Sequence, residues 1–257
     1  MYSKFRVSMN EDFSRYYEAG KAWLETHKSQ VKRKLDEFIH YDSGIIDGGA
    51  LERELFKEIN ADVFISHSHK DEKLAISFAG WLKANFNLTE FVDSCVWEYA
   101  DNILSEINDG YNCIRTDANG AKTYSHDKAN YAASHIYLML NSALNNMINK
   151  TECFMFIDTD HSCVYMDRDK AKSDPQTFSP WIYSEIVMAN TMTKSDPDRF
   201  LTSPELRHYL FESMQMTHDL DFSTFIDLNQ MDLMNWKCQK KDGTHPLDTL
   251  YNLKSKG

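Results

Sequence analysis

Short apolar runs alternate along the chain with stretches whose apolar residues recur every three or four positions, and this predicts a parallel sheet covered by helices on both faces. Val63-Phe64-Ile65 is short and wholly apolar, as a strand buried on both faces is. Glu72 to Phe86 then reads as a helix, with Leu74, Ala75, Phe78, Ala79 and Leu82 on its buried side. Phe91-Val92 predicts a second strand, Ala132 to Asn149 a long helix with Ile136, Met139, Leu140, Ala143, Leu144 and Met147 inward, and Cys153 to Ile157 a third strand. Ser179 before Pro180 predicts a helix start, because the serine caps free backbone donors and proline suits the first helical position. That helix runs to about Met192, and Ser203-Pro204 opens another in the same way. Phe222 to Leu228 predicts a further strand, and Asn229 to Lys237 and Pro246 to Leu253 the closing helices.

The first sixty residues carry a different pattern. From Asp12 to Ile39 the apolar positions Phe13, Tyr16, Tyr17, Trp23, Val31, Leu35 and Phe38 predict one long amphipathic helix, ended by Asp42-Ser43-Gly44. It reads either as a packing arm or as an oligomerisation element. A turn at Asp47-Gly48-Gly49 and a short helix from Ala50 to Ile59 lead into the main domain. The expected division is a helical extension over residues 1–60 and one α/β domain over residues 61–257. Two connections, Asp109 to Asn130 and Asp158 to Phe178, are long for a compact domain and read as functional lids or as disordered inserts.

Composition narrows the function classes. The chain has 257 residues, 42% hydrophobic and 26% charged, so it can build its own core without staples. A formal charge of −11 speaks against a nucleic-acid-binding face and against an anionic membrane surface. The five cysteines are scattered, with no Cys-x-x-Cys pair, which suits a reducing compartment. No apolar run approaches the length of a membrane span, and the expected location is the cytoplasm.

In open α/β sheets the ligand crevice lies outside the carboxyl ends of the strands. After the first strand come Ser66, His67, Ser68, His69, Lys70 and Asp71; after the second, Asp93, Ser94, Cys95, Val96, Trp97 and Tyr99; after the third, Asp158, Thr159 and Asp160. His67 and His69 could hold a metal with Asp71 and Asp158, in the manner of a metal-dependent hydrolase, although no second ligand cluster stands at a defined spacing. Trp181 and Glu185 are four residues apart and share one helix face. Such a pair can stack a planar cationic ring beside a carboxylate, or can simply be a core residue next to a surface acid.

A resemblance favours the first of these. Ala61 to Glu72, ADVFISHSHKDE, resembles the opening strand and first loop of the Toll/interleukin-1 receptor (TIR) domain family. Glu90 to Leu104 resembles the second strand and the BB loop, and ECFMFIDTD followed by FSPWIYSE, within Glu152 to Glu185, resembles the third strand and the helix with the catalytic glutamate. The likeness covers Ala61 to Met192 well and the C-terminal third loosely. It implies a flavodoxin-like fold and a NAD-consuming enzyme of the bacterial type, of the Thoeris antiphage-defence kind. NAD+ would then be the substrate, with no further cofactor and no metal. Glu185 would be the catalytic residue, and Ser66, His67, Ser68, Asp93, Trp97, Tyr99 and Trp181 would bind the nucleotide. A homo-oligomer on activation, a phage-derived trigger and a downstream effector that responds to the signal are the implied partners. A non-catalytic TIR adaptor used for self-association is the other reading. One departure stands out: Trp97-Glu98-Tyr99-Ala100-Asp101 replaces the usual glycine-containing BB loop.

Overall fold

The computed structural model describes residues 1–9, 12–28, 39–40, 45–55, 60–165, 175–197, 222–239 and 244–254. The chain divides into two compact units, one of Met1–Leu24, Ile59–Val92 and Met147–Gly257, the other of Glu25–Glu58 and Asp93–Asn146.

The first unit is α/β, built on a sheet that among the described residues has five strands, all parallel. Its strands are β1 (Ser3–Ser8), β4 (Val63–Ser66), β5 (Glu90–Val92), β8 (Cys153–Asp158) and β9 (Ile226–Leu228), in the order β5-β4-β8-β1-β9. The helices around it are α1 (Tyr17–Lys28), α3 (Glu72–Phe86), α6 (Pro180–Thr191), α7 (Gln230–Cys238) and α8 (Pro246–Lys254). The three strands expected from Val63, Phe91 and Cys153 stand side by side as β5-β4-β8, the 2-1-3 order of flavodoxin-like sheets. The core is strongly aromatic. Phe64 stacks on Phe154 at 5.4 Å, and Trp236 of α7 stacks on Phe86 of α3 at 3.9 Å.

The N-terminal segment corrects the expected organisation: it is not only a helical extension. Ser3–Ser8 forms β1, inserted between β8 and β9. Phe5 and Val7 are fully buried while Lys4 and Arg6 are partly exposed, which is the two-residue period of a strand. The helix that follows begins at Tyr17 and is described to Lys28; residues 29–38, the rest of the expected long helix, lie outside the described residues, and Ile39 is already in a strand. The N-terminal half of α1 crosses α3 at backbone contact. A Cβ on Gly20 would sit 2.0 Å from the Ile76 carbonyl oxygen, and one on Gly80 2.2 Å from that of Tyr16. Only glycine permits so close a crossing.

The helix predicted over Glu72–Phe86 has those bounds, closed by Asn87 in the left-handed region at φ 55°. The predicted strand from Phe222 is shorter, because Phe225 N bonds back to the Phe222 carbonyl in a turn before β9. Asn229 and Asp232 cap α7 reciprocally. The helix expected at Ser203-Pro204 lies outside the described residues.

In the second unit β2 (Ile39–His40) pairs with β3 (Ile45–Ile46), and α2 (Gly48–Leu55) starts where Asp47 accepts the Ala50 amide. The supposed BB loop is helical: Trp97 and Tyr99 lie in α4 (Ser94–Ile107). With no glycine or proline from Asp93 to Asp109, nothing in that stretch breaks a helix. The connection from Asp109 is not a bare loop either. A π-helical turn at Asn108–Asn112 leads to a hairpin of β6 (Cys113–Thr116) and β7 (Lys122–Tyr124), then to α5 (His126–Lys150). Asp109 binds Lys122 at 2.6 Å and accepts from Tyr124, tying the turn to the hairpin.

Candidate functional site

The chain leaves β4 toward β5 and later returns to the other side of β4 as β8, so the winding direction reverses between β4 and β8. Ligands of open α/β sheets bind at such a reversal, at the carboxyl ends of the strands. The register sets one row of side chains there: Arg6 of β1 pairs with Phe156 of β8, which pairs with Ser66 of β4. Residues in register on parallel strands project to the same face.

Ser66, the last residue of β4, is fully buried, and its hydroxyl donates to Glu185 Oε2 at 2.6 Å. Glu185 is 1% exposed and lies on the inward side of α6 with Ile182, Ile186 and Ala189. The helix start sets this orientation. Ser179 Oγ accepts the Ile182 amide at 3.3 Å and Pro180 takes the first helical position, which fixes the turn on which Glu185 faces the sheet. Trp181 stands one turn earlier on the same side of the helix and is half-buried.

The loop after β4 folds back on itself. His67 is buried with Nδ1 2.7 Å from the Ser68 carbonyl, Ser68 Oγ accepts the Lys70 amide, and the Asp71 amide donates to the Ser68 carbonyl at 2.7 Å. Asp71 is also buried, and it reaches across to the loop after β8. Its Oδ2 accepts from Thr159 Oγ1 and its Oδ1 lies 2.8 Å from His161 Nδ1. A tight turn holds that second loop: Thr159 N donates to Ser162 Oγ at 2.8 Å, and Ser162 Oγ donates to the Ile157 carbonyl at 2.9 Å. The two loops that border the winding reversal are thus joined.

Farther along the rim, Arg6 pairs with Asp158 at 2.8 Å, donates to Tyr165 and lies 4.6 Å from the centre of the Phe222 ring. Cys163 packs near this pair, and burial, with Asp158 beside it, pushes its thiol up to about 12. It stays a thiol at neutral pH.

Of the expected site residues, the structure brings Ser66 and Glu185 into contact, sets His67 and Ser68 directly behind Ser66, and puts Trp181 on Glu185's helix face. Asp93, Trp97 and Tyr99 belong to the second unit. Asp93 is buried just after β5, whereas the side chains of Trp97 and Tyr99 lie outside the described set. His69 is exposed, and among the described residues no three His, Cys, Asp or Glu side chains group as metal ligands. Arg6 and His161 went unnoticed in the sequence. Arg6 belongs to an unrecognised strand, and His161 gains its partner only through the fold. No helix among the described residues is long and apolar enough to cross a membrane.

Comparison of the chain with protein-family models, with curated proteins and with solved structures yields no match.

Proposed function

We propose that the protein cleaves the bond between nicotinamide and ribose in NAD+, as the resemblance to NAD-consuming TIR domains suggests. The observation that carries this reading is Glu185, a buried carboxylate at the carboxyl end of a parallel sheet, oriented by Ser66, with Trp181 one turn earlier on the same helix face. The chemistry asks for little more. Nicotinamide leaves with the electron pair of its C1′–N bond and becomes neutral, so no acid is needed to protonate it. The ribose carbon is left electron-poor, and a fixed carboxylate stabilises that charge as it develops. Trp181 offers a ring face for the cationic pyridinium before cleavage. Water as acceptor gives ADP-ribose, and a nucleophile of the same molecule gives a cyclic isomer. Either product is the proposed signal in antiphage defence, made by a homo-oligomer.

Purified protein incubated with NAD+ should release nicotinamide, and Glu185→Gln should slow release about 100-fold or more while circular dichroism stays native. Glu152→Gln is the control: that side chain accepts from Tyr251 Oη at the opposite end of β8. A folded Glu185→Gln that works at the wild-type rate defeats the assignment. A folded wild type that self-associates but releases no nicotinamide returns the chain to the adaptor reading.

A further inference from the structure

The Asp71–His161 pair has no role in breaking the glycosidic bond, yet it is built with care at the same sheet end. Asp71 is buried and both of its carboxylate oxygens are engaged, by Thr159 Oγ1 and by His161 Nδ1. His161 is held from two sides. Its backbone amide donates to Thr159 Oγ1 at 3.1 Å, and its ring is fixed by Asp71 at 2.8 Å, while about half of its side chain stays exposed. With Nδ1 donating to the carboxylate, Nε2 keeps its lone pair and points away from Asp71. Asp71 lies five residues after Ser66, and His161 lies five residues after Phe156, the strand partner of Ser66. Both residues therefore stand on the loops that leave the carboxyl ends of β4 and β8, the two strands at the winding reversal.

We infer that His161, positioned by Asp71, is the general base that deprotonates the acceptor hydroxyl in the second half of the reaction, an inference that rests on the NAD+ cleavage proposed above. When water is the acceptor, its oxygen bonds to C1′, nicotinamide has departed with the electron pair of the C1′–N bond, and the water proton passes to His161 Nε2 and then to solvent. Nothing is oxidised or reduced. A ribose hydroxyl as acceptor loses its proton in the same way. Asp71 stabilises the imidazolium that forms and keeps the ring in the tautomer with a free Nε2.

A substituted pyridine separates the two halves of the reaction. Its ring nitrogen attacks C1′ with a lone pair and has no proton to lose, so exchange of nicotinamide for 3-acetylpyridine needs Glu185 and not His161. In His161→Ala, ADP-ribose formation should fall about 100-fold while pyridine exchange stays within about threefold of wild type, and added imidazole should restore hydrolysis. His161→Gln, which keeps a donor for Asp71, should show the same split without the cavity. Glu185→Gln should lose hydrolysis and exchange together. If His161→Ala and His161→Gln hydrolyse NAD+ normally while Glu185→Gln is dead, the base is wrong and the cleavage reading stands. Equal loss of hydrolysis and exchange in both His161 variants makes the residue structural. A wild type that releases no nicotinamide at all overturns both.

Discussion

Trp181 and Glu185 illustrate how far spacing on a helix reaches. The four-residue interval puts them on one face, and Ser179-Pro180 fixes where the helix starts, so their shared orientation is readable from local sequence. That Glu185 meets Ser66 is not, because the two are far apart in sequence. If Trp181 stacks on the pyridinium, Trp181→Ala should raise KM for NAD+ about 2- to 30-fold, since a ring face contributes about 0.5–2 kcal/mol, and Trp181→Phe should recover most of it. Steady-state kinetics with a circular dichroism check decides this; equal unfolding of both variants would make the ring a core residue. Glu90 is the second informative acid. It opens β5, is 3% exposed, and its carboxyl oxygens have no hydrogen-bond partner among the described residues. Burial pushes its pKa from 4.5 up to about 9, against the pull of Lys83. The folded protein therefore holds a proton that the unfolded chain releases, so Glu90 favours folding fully below about 4.5, and this contribution is lost progressively as pH rises to about 9. Glu90→Gln should flatten the decline in thermal stability between these limits and should raise stability at pH 8 by about 1–3 kcal/mol. An unchanged pH profile of the melting temperature would show the carboxyl to be solvated.

The α1–α3 crossing is the element whose geometry is least forgiving. Two glycines, Gly20 and Gly80, let backbone touch backbone, and the atoms a new Cβ would meet are carbonyl oxygens that cannot rotate away. Gly80→Ala should destabilise the protein by about 2–3 kcal/mol or more, because the helices must separate to admit one methyl group. Gly110→Ala serves as the comparison, since nothing lies within 4 Å of its Cβ position, and it should leave the melting temperature nearly unchanged. Equal melting temperatures for the two variants would mean that the crossing opens freely. Helix and strand periods predicted α3, α6, α7 and α8 closely, because each carries its own cap or apolar stripe. The sequence analysis places neither α4 nor the hairpin of β6 and β7. There, the resemblance suggested a loop where the residues themselves contain no helix breaker, and the exposed strands have no apolar alternation to betray them.

At the scale of the molecule the decisive feature is that Ser3–Ser8 lies inside the sheet. β1 covers β8 on one side and carries β9 on the other, so β9 has no place without it. Phe5 is fully buried in this strand, and Phe5→Asp should abolish soluble expression, since an unpaired carboxylate there costs several kcal/mol. Phe5→Leu keeps an apolar side chain and should fold with a loss of roughly 1–2 kcal/mol. A soluble, natively folded Phe5→Asp would show the segment to be a detachable arm, as the helical pattern of the following residues suggests. Arg6 from the same strand joins Asp158 and Tyr165 at the carboxyl rim, so the strand also brings charge to the site's edge.

By itself the sequence determined the α/β class, three of the strands, most helix bounds and the polar residues that follow those strands, because these depend on period, caps and short-range spacing. Only the tertiary structure decided that a strand read from just two buried residues, Phe5 and Val7, takes the place beside β8. It alone joined Ser66 to Glu185 and Asp71 to His161, contacts between loops and helices more than eighty residues apart in the chain. The physical reason is the parallel sheet. Each strand reaches its neighbour through a long crossover, so the residues that meet at its carboxyl edge come from segments whose local patterns hold no trace of one another.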